Sequence, residues 1–319
     1  MSGIYITGAV IIGNQPTGNS GSSGGNGNGE CTPDSVICFD YLTQQLPRGM
    51  IFTRASGAAY YDDKLRLQSV PNDTPRYGYN PVSKKINGLL IELGATNYLR
   101  QGTDLSLWSA DRCTVEKYAG VAPVDLYTLT STQSSAGFVQ SAGNFPVAFA
   151  DKTTVYTTFY VMSVSGVIRF GSNIISGWRE YRDLNLNSPP ASVSVEKFPG
   201  DVYRVKFSTV SSDNDNGGIW FYSSPTEVQA FGGVTISTSA TSSDIITNGQ
   251  SLTRDADTIA IKPNRRGSVY REYIAYGSDN IVKEIVDNEI LPDNFQGWLR
   301  RLAVYNRVLT DSEKSELLP

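Results

Sequence analysis

The stretch Val155 to Val164, VYTTFYVMSV, and the later stretch Val202 to Phe207, VYRVKF, decide the fold class. Both are rich in β-branched and aromatic residues, and their side chains alternate in the way of a half-buried β-strand. Gly218 to Tyr222, GIWFY, predicts a further strand of this kind. The sequence therefore predicts an all-β protein made of antiparallel β-sandwich or jelly-roll domains.

Turn-forming clusters punctuate the chain from Phe39 onward, at 71–73, 79–81, 187–190 and 213–218. Short strands between such clusters are typical of sandwiches and jelly rolls. Near the end of the chain, Thr310 to Glu313 forms a capping box, which predicts a short helix. Leu317 and Leu318 would form its apolar side and pack as a lid on the sandwich.

The composition argues against several classes of protein. The chain has 319 residues, with 27 Lys and Arg against 31 Asp and Glu, so it lacks the basic balance of a nucleic-acid binder. It has no histidine, which removes the commonest general base and a common metal ligand. No apolar stretch is long enough to span a bilayer, and no basic segment of a signal peptide precedes the first one. We therefore expect neither nucleic-acid binding, nor membrane insertion, nor secretion through a signal peptide.

The three cysteines predict no disulfide framework. Cys31 and Cys38 could close a small loop, but Cys113 makes the count odd. Their spacing matches no common zinc pattern. We expect reduced, structurally neutral thiols.

Residues 1–14 predict a single anchoring strand, followed by a linker over residues 15–47 that is rich in Gly, Ser and Asn at its start. The apolar side chains of the strand are Ile4, Ile6, Val10, Ile11 and Ile12. Because an isolated strand cannot satisfy its own hydrogen bonds, it must pair with something else. We predict that this arm docks by β-augmentation onto another protein. The alternative is an N-terminal strand that folds back onto its own chain.

Several short motifs follow one another along the chain in a characteristic order. They are FTRASGA at 52–58, PRY at 75–77, GLLIE at 88–92, TN at 96–97, YTTFYV at 156–161, GDVYRV at 200–205, LTRDAD at 252–257, GWLRRL at 297–302 and LTDSE at 309–313. This succession resembles tailed-bacteriophage fibre and decoration proteins. Those proteins carry a carbohydrate-binding-module-like jelly roll and a concanavalin- or laminin-G-like sandwich. One departure is Asp201-Val202, which stands where the family has Gly-Trp.

The resemblance implies a domain order. A concanavalin-like framework would comprise residues 48–100 and 246–319, with the jelly roll of residues 101–245 inserted between its halves. Long insertions into surface loops cost little entropy, so the layout is physically reasonable.

Three arginines in these motifs are better interpreted as structural ion-pair partners than as substrate clamps, because Arg fits a carboxylate with two hydrogen bonds. The arginines are Arg54, Arg76 and Arg254, and the candidate partners are Glu92, Asp255 and Asp257.

The same resemblance implies a function. The chain would be a virion structural protein, assembled in the host cytoplasm, that serves as a tail fibre or receptor-binding appendage. Its arm would attach it to other virion proteins, and fibre proteins of this kind favour a homo-oligomer, commonly a trimer. A capsid decoration protein or head fibre is one alternative, and a glycan-degrading tail-spike enzyme is another. Because no histidine base, nucleophile motif or diagnostic carboxylate spacing is present, we predict no enzyme and no catalytic residue.

Two candidate ligand sites follow from the sequence. Trp178, Trp220 and Tyr222 would stack against the sugar rings of a host surface glycan, and the alternative is burial in the core. Asp213 and Asp215 lie in the loop DNDNGG and would bind calcium, and the sequence indicates no other cofactor. The loop departs from the EF-hand pattern at Gly217, and a plain hairpin turn explains it equally well.

Overall fold

The computed structural model describes most of the chain from residue 35 to residue 318. The gaps within that range are residues 45, 47–49, 80–83, 133–136, 142–148, 150–151, 173–178, 212–217, 240–242, 248, 261–266, 277 and 279. The predicted anchoring strand, with Ile4, Ile6, Val10, Ile11 and Ile12, lies outside the described residues, as does most of the linker. Within the described part of the chain, no helix is both long enough and apolar enough to cross a membrane.

The regular structure is almost entirely antiparallel strand, so the predicted all-β class is confirmed. In the first part of the chain the strands are β1 (Ser35–Asp40), β2 (Ile51–Thr53), β3 (Ala58–Tyr61), β4 (Leu67–Val70), β5 (Tyr77–Tyr79), β6 (Ile86–Ile91) and β7 (Ala95–Asn97). The middle part contains β8 (Ser109–Asp111), β9 (Cys113–Lys117), β10 (Leu126–Ser131), β11 (Phe138–Gln140), β12 (Thr154–Met162), β13 (Val167–Ser172), β14 (Arg179–Asn185), β15 (Val193–Phe198), β16 (Val202–Val210), β17 (Ile219–Tyr222) and β18 (Gln229–Ser237). The last part contains β19 (Leu252–Arg254), β20 (Thr258–Ala260), β21 (Ser268–Ala275), β22 (Ile281–Asp287), β23 (Gly297–Tyr305) and the helix α1 (Asp311–Leu317).

One six-stranded sheet, which we call the framework sheet, combines strands from both ends of the described chain. Its order is β22-β21-β23-β6-β5, and β1 pairs with the second half of β23. Three further strand pairs, β2 with β20, β3 with β4 and β7 with β19, lie outside the large sheets. Apolar side chains on one face of the framework sheet form a core that includes Leu89, Leu299 and Leu302. The other face is turned toward the middle part of the chain.

Two more sheets, formed from residues 109–237, enclose the largest core. One, which we call the middle six-stranded sheet, has the order β15-β16-β12-β18-β10-β9. The other, the five-stranded sheet, has the order β14-β13-β17-β11-β8. Between them lie four aromatic rings that are fully buried, namely Phe159, Phe170, Phe221 and Phe231. The two groups of sheets follow the predicted framework and insertion in sequence, but the division into domains stays a prediction.

The C-terminal helix α1 begins where the capping box predicts. Glu313 donates its backbone N–H to the Thr310 hydroxyl at 3.4 Å, and the Thr310 backbone N–H returns a hydrogen bond to the Glu313 carboxylate at 2.8 Å. Leu317 packs beside Tyr305 and Leu309, so the helix is fastened to the end of the framework sheet. The predicted helix is confirmed.

A buried ion network joins segments that are far apart in sequence. Arg76 contacts Glu92 at 2.7 Å and also Asp257, Arg54 contacts Asp257 at 3.1 Å, and Arg254 contacts Glu92 at 2.8 Å. All five side chains are almost completely buried. The prediction that these arginines are structural is confirmed for their pairing with Glu92 and Asp257.

The predicted pairing of Asp255 is wrong. Strand β19 ends at Arg254, and the next two residues run across the surface before Asp257 returns to the interior. Among the described residues, Asp255 has no ion pair, and only its backbone N–H is engaged, as a donor to the Ser56 hydroxyl at 2.7 Å.

Candidate functional site

A cleft of about 1190 Å³ lies between the framework sheet and the middle six-stranded sheet. It borders the outer face of the middle six-stranded sheet, which is the face turned away from the aromatic core. Strands β5, β6, β21 and β23 form one wall, and β12, β15 and β16 form the other. Ser243 and Asp244 lie where the two walls meet. We call this space the central cleft.

The alternation of strand β16 decides which of its side chains enter the central cleft. Tyr203, Val205 and Phe207 point into the aromatic core between the two middle sheets. Because successive side chains of a strand point to opposite faces, Arg204 and Lys206 point the other way, into the cleft.

Two stacked aromatic rings cover part of the framework wall. The rings of Tyr276 and Trp298 lie 5.3 Å apart, centroid to centroid, with only 10° between their planes. Gly78, on the neighbouring β5, leaves room for the indole, because a Cβ atom there would lie 2.8 Å from Trp298 Nε1. The result is an aromatic platform in a cleft that is otherwise lined by many polar groups.

A cluster of charges lies at the base of the cleft. Arg204 contacts Asp244 at 3.1 Å and Glu196 at 3.5 Å. The hydroxyl of Tyr61 donates to Asp244 at 3.1 Å, and the hydroxyl of Tyr160 donates to the same oxygen. Burial raises the pKa of both tyrosines well above its usual range, so they remain donors at neutral pH. Asp244 is thereby held in one orientation by three donors.

The buried ion network holds this cluster in place. Glu92 accepts hydrogen bonds from both the backbone N–H and the hydroxyl of Ser243, the second at 2.7 Å. The same hydroxyl accepts from Arg254 at 2.7 Å and from Arg76 at 3.1 Å. Because Asp244 follows Ser243 directly, the network determines where its carboxylate can reach.

Lys206 is a cation that contacts the aromatic platform. Its ammonium nitrogen lies 5.3 Å from the centroid of the Tyr276 ring. Burial, and then the charge of Arg204, lower the pKa of Lys206 to about 8. Burial likewise raises the pKa of Tyr276 to about 12, so its hydroxyl is protonated at neutral pH. Lys206 therefore titrates close to the physiological range.

The aromatic residues predicted from the sequence lie elsewhere. Side chains alternate along β17, so Ile219 and Phe221 point into the core. Trp220 and Tyr222 therefore lie on the outer face of the five-stranded sheet. Tyr222 is only 8% exposed and lies under Arg169, whose guanidinium carbon is 4.3 Å from the ring centroid. Trp220 is half-buried and donates its indole N–H to Gln140.

This pair does not line the central cleft. A carbohydrate role for Trp220 and Tyr222 stays a prediction, and Trp178 lies outside the described residues.

The predicted calcium ligands Asp213 and Asp215 also lie outside the described residues. Within the part of the chain that is described, no group of three or more Asp, Glu, Cys or His side chains is arranged to hold a metal ion. Cys113 is half-buried as a free thiol that donates to the Phe138 carbonyl at 3.2 Å, and burial raises its pKa. Cys31 and the side chain of Cys38 are not described.

Sequence reasoning missed the central cleft. Trp298 appeared only within the motif GWLRRL at 297–302, and Glu196 was not singled out. The available signal was the alternation of VYRVKF, which places Arg204 and Lys206 on one face of a strand. Nothing in that pattern shows which surface this face meets.

Comparisons with known proteins add little to this geometry. No known protein family and no curated protein matches the sequence. One solved structure that is similar to part of the chain is the enzymatically active domain of tailspike protein 4 from bacteriophage CBA120. The identity is 11%, the TM-score is 0.31, and the match covers 44% of this chain and 21% of that one. The chain thus spans about a fifth of that structure.

The prediction that this chain is not an enzyme is wrong, because motifs that are absent from a sequence do not exclude catalysis. The likeness itself assigns no reaction to this chain. The physical reason for the error is that carboxylates without a diagnostic spacing can still meet in space. Glu196 and Asp244, which belong to separate segments, both contact Arg204 in one cleft.

Proposed function

We propose that this chain is a glycan-recognising component of a bacteriophage virion, and that the saccharide lies in the central cleft. The observation that carries the proposal is the stacked pair Tyr276 and Trp298 facing a row of charged and polar side chains. Aromatic faces cover the apolar face of a pyranose, while sugar hydroxyls require fixed donors and acceptors nearby. Arg204, Glu196 and Asp244 supply both kinds of group and hold each other in place.

The bacteriophage setting is supported by the ordered motifs of the sequence, from FTRASGA at 52–58 to LTDSE at 309–313. Among virion proteins, a tail fibre or receptor-binding appendage would need a cleft that binds glycan, whereas a purely structural subunit would not. Attachment to other virion proteins would use the arm of residues 1–14, and a homo-oligomer remains part of the proposal. A capsid decoration protein or head fibre would carry the same cleft on the head of the particle.

Trp298→Ala is expected to weaken glycan binding by about 2 kcal/mol, the scale of a central aromatic contact, which is roughly 30-fold. The alanine removes half of the platform but leaves the charged cluster intact. Calorimetric titration with purified host-surface oligosaccharides measures the change, and thermal unfolding checks that the variant is folded.

Trp220→Ala is the matched control, because it removes an indole from the outer face of the five-stranded sheet. Its affinity should stay within about twofold of the unmodified protein if the central cleft is the site. The opposite pattern, with Trp220→Ala abolishing binding and Trp298→Ala without effect, would move the site to that outer face.

A second candidate function is cleavage of the bound glycan. It is favoured by the presence of two carboxylates, Glu196 and Asp244, in the lining of one cleft, because glycoside hydrolysis generally uses a pair of carboxyl groups. Glu196 is the more accessible of the two, with 35% of its side chain exposed against 5% for Asp244.

If the chain cleaves its glycan, Glu196→Gln is expected to slow the reaction by about 100-fold or more, the scale of a general acid or base. Chromatographic analysis of saccharide length over time measures the rate. Glu116→Gln, at an exposed position of β9, is the control and should cleave at the unmodified rate. Intact saccharide after prolonged incubation with the unmodified protein would rule out this second function and leave recognition alone.

A further inference from the structure

Lys206 is a cation of the central cleft that forms no ion pair with a described residue. Arg204 is paired with Asp244 and Glu196, and Arg300 is paired with Glu272 at 2.8 Å. Among the described residues, no carboxylate lies within 4.0 Å of the Lys206 ammonium, which makes no hydrogen bond there and contacts the Tyr276 ring. This ammonium is thus available to a ligand.

The surroundings of Lys206 make that arrangement unfavourable in the absence of an anion. Arg204 on the same strand opposes its charge, whereas Glu196 from β15, Asp244 at the base of the cleft and Glu92 just after β6 attract it from farther away. Tyr276 faces it from the end of β21 as a protonated phenol. A half-buried charge without a counter-ion costs free energy, which an incoming anion would recover.

The aromatic platform lies directly beside this ammonium. Tyr276 is shared between the two, because its ring stacks on Trp298 and also contacts Lys206. A sugar ring placed on the platform would bring a substituent carboxylate to the lysine. We infer that the glycan of the central cleft is acidic, and that Lys206 binds the carboxylate of a uronic-acid-type residue. The inference rests on the proposed function and narrows it to a class of saccharide.

Matched saccharide pairs test the inference. The probes are short fragments of polygalacturonate, alginate and hyaluronan, each compared with a counterpart whose carboxyl groups have been reduced to neutral alcohols. At pH 7 the protein is expected to bind at least one acid about tenfold or more tightly than its neutral counterpart, as for a hydrogen bond to a charged group. Lys206→Met should bring that ratio close to one, while Lys152→Met, at an exposed position outside the cleft lining, should leave it unchanged.

A second readout follows the protonation of the lysine. Because Lys206 loses its proton near pH 8, the acid preference of the unmodified protein should fall between pH 7 and pH 9.5 toward that of Lys206→Met. Thermal unfolding of both variants shows whether they are folded.

The outcomes separate the two proposals. Equal binding of acid and neutral saccharides, lost in Trp298→Ala, would overturn the acidic inference and keep the glycan cleft. An acid preference that persists in Lys206→Met would also overturn it. If none of the acids binds, the acidic inference fails. If other glycans from the host surface also fail to bind, the proposed function fails with it.

Discussion

Replacement of Arg76 by methionine is expected to lower the free energy of unfolding by about 3–5 kcal/mol, as for a broken buried ion pair. Arg76 is fully buried and contacts Glu92 and Asp257, which are fully buried as well. Its guanidinium also donates to the Ala59 carbonyl at 3.1 Å and to the Ser243 hydroxyl at 3.1 Å. Without Arg76, the two buried carboxylates keep Arg54 and Arg254 as their ion-pair partners among the described residues. Chemical denaturation followed by far-ultraviolet circular dichroism measures the loss.

The control for this variant is Arg66→Met. Arg66 contacts Asp62 at 3.4 Å, but 51% of its side chain is exposed. Surface pairs of this kind contribute about 0–1 kcal/mol, because water screens them and holding two long side chains costs entropy. A loss of less than 1 kcal/mol in Arg76→Met, similar to the control, would show that the network contributes nothing special to stability.

The network also bears on function, because it positions the base of the central cleft. Arg76 donates to Ser243, and Asp244 follows directly in the chain. We therefore expect glycan affinity in Arg76→Met to fall along with stability, whereas Arg66→Met should leave it unchanged.

Phe221→Ala is expected to cost about 3–5 kcal/mol of unfolding free energy, as for truncation of a buried aromatic side chain. The Phe221 ring stacks between Trp108, at 5.8 Å between centroids, and Phe231, at 4.6 Å, and it also contacts Phe159 at 4.9 Å. Alanine would leave a cavity among rings from both middle sheets, and close-packed neighbours relax only partly into such a space. Chemical denaturation again provides the measurement.

Leu107→Ala is a suitable comparison, because this apolar side chain is 59% exposed. Its removal should change stability by no more than about 0.5 kcal/mol, the usual effect at an exposed site. If Phe221→Ala were equally mild, the two middle sheets would not share one tightly packed core.

Strand and helix positions were predictable because their signals are local. VYTTFYVMSV at 155–164 corresponds to β12, Thr154–Met162, and VYRVKF corresponds to the start of β16, Val202–Val210. Alternation reports the strand period directly, and the two hydrogen bonds of the Thr310 capping box lie within four residues. The pairing of the buried arginines with Glu92 and Asp257 was also predictable from residue type. The ion pair predicted for Asp255 is absent because β19 ends at Arg254, which leaves Asp255 at the surface of the described part of the chain.

The central cleft depended on contacts that no local pattern contains. Tyr276 and Trp298 come together because β21 pairs with β23, which brings Ala275 opposite Gly297. Lys206 reaches that platform only because the outer face of the middle six-stranded sheet packs against the framework sheet. Local alternation thus established that the chain is all-β and which side chains share a strand face. Which two faces meet, and hence where charges and aromatic rings converge, is set by long-range packing, and only the tertiary structure could decide it.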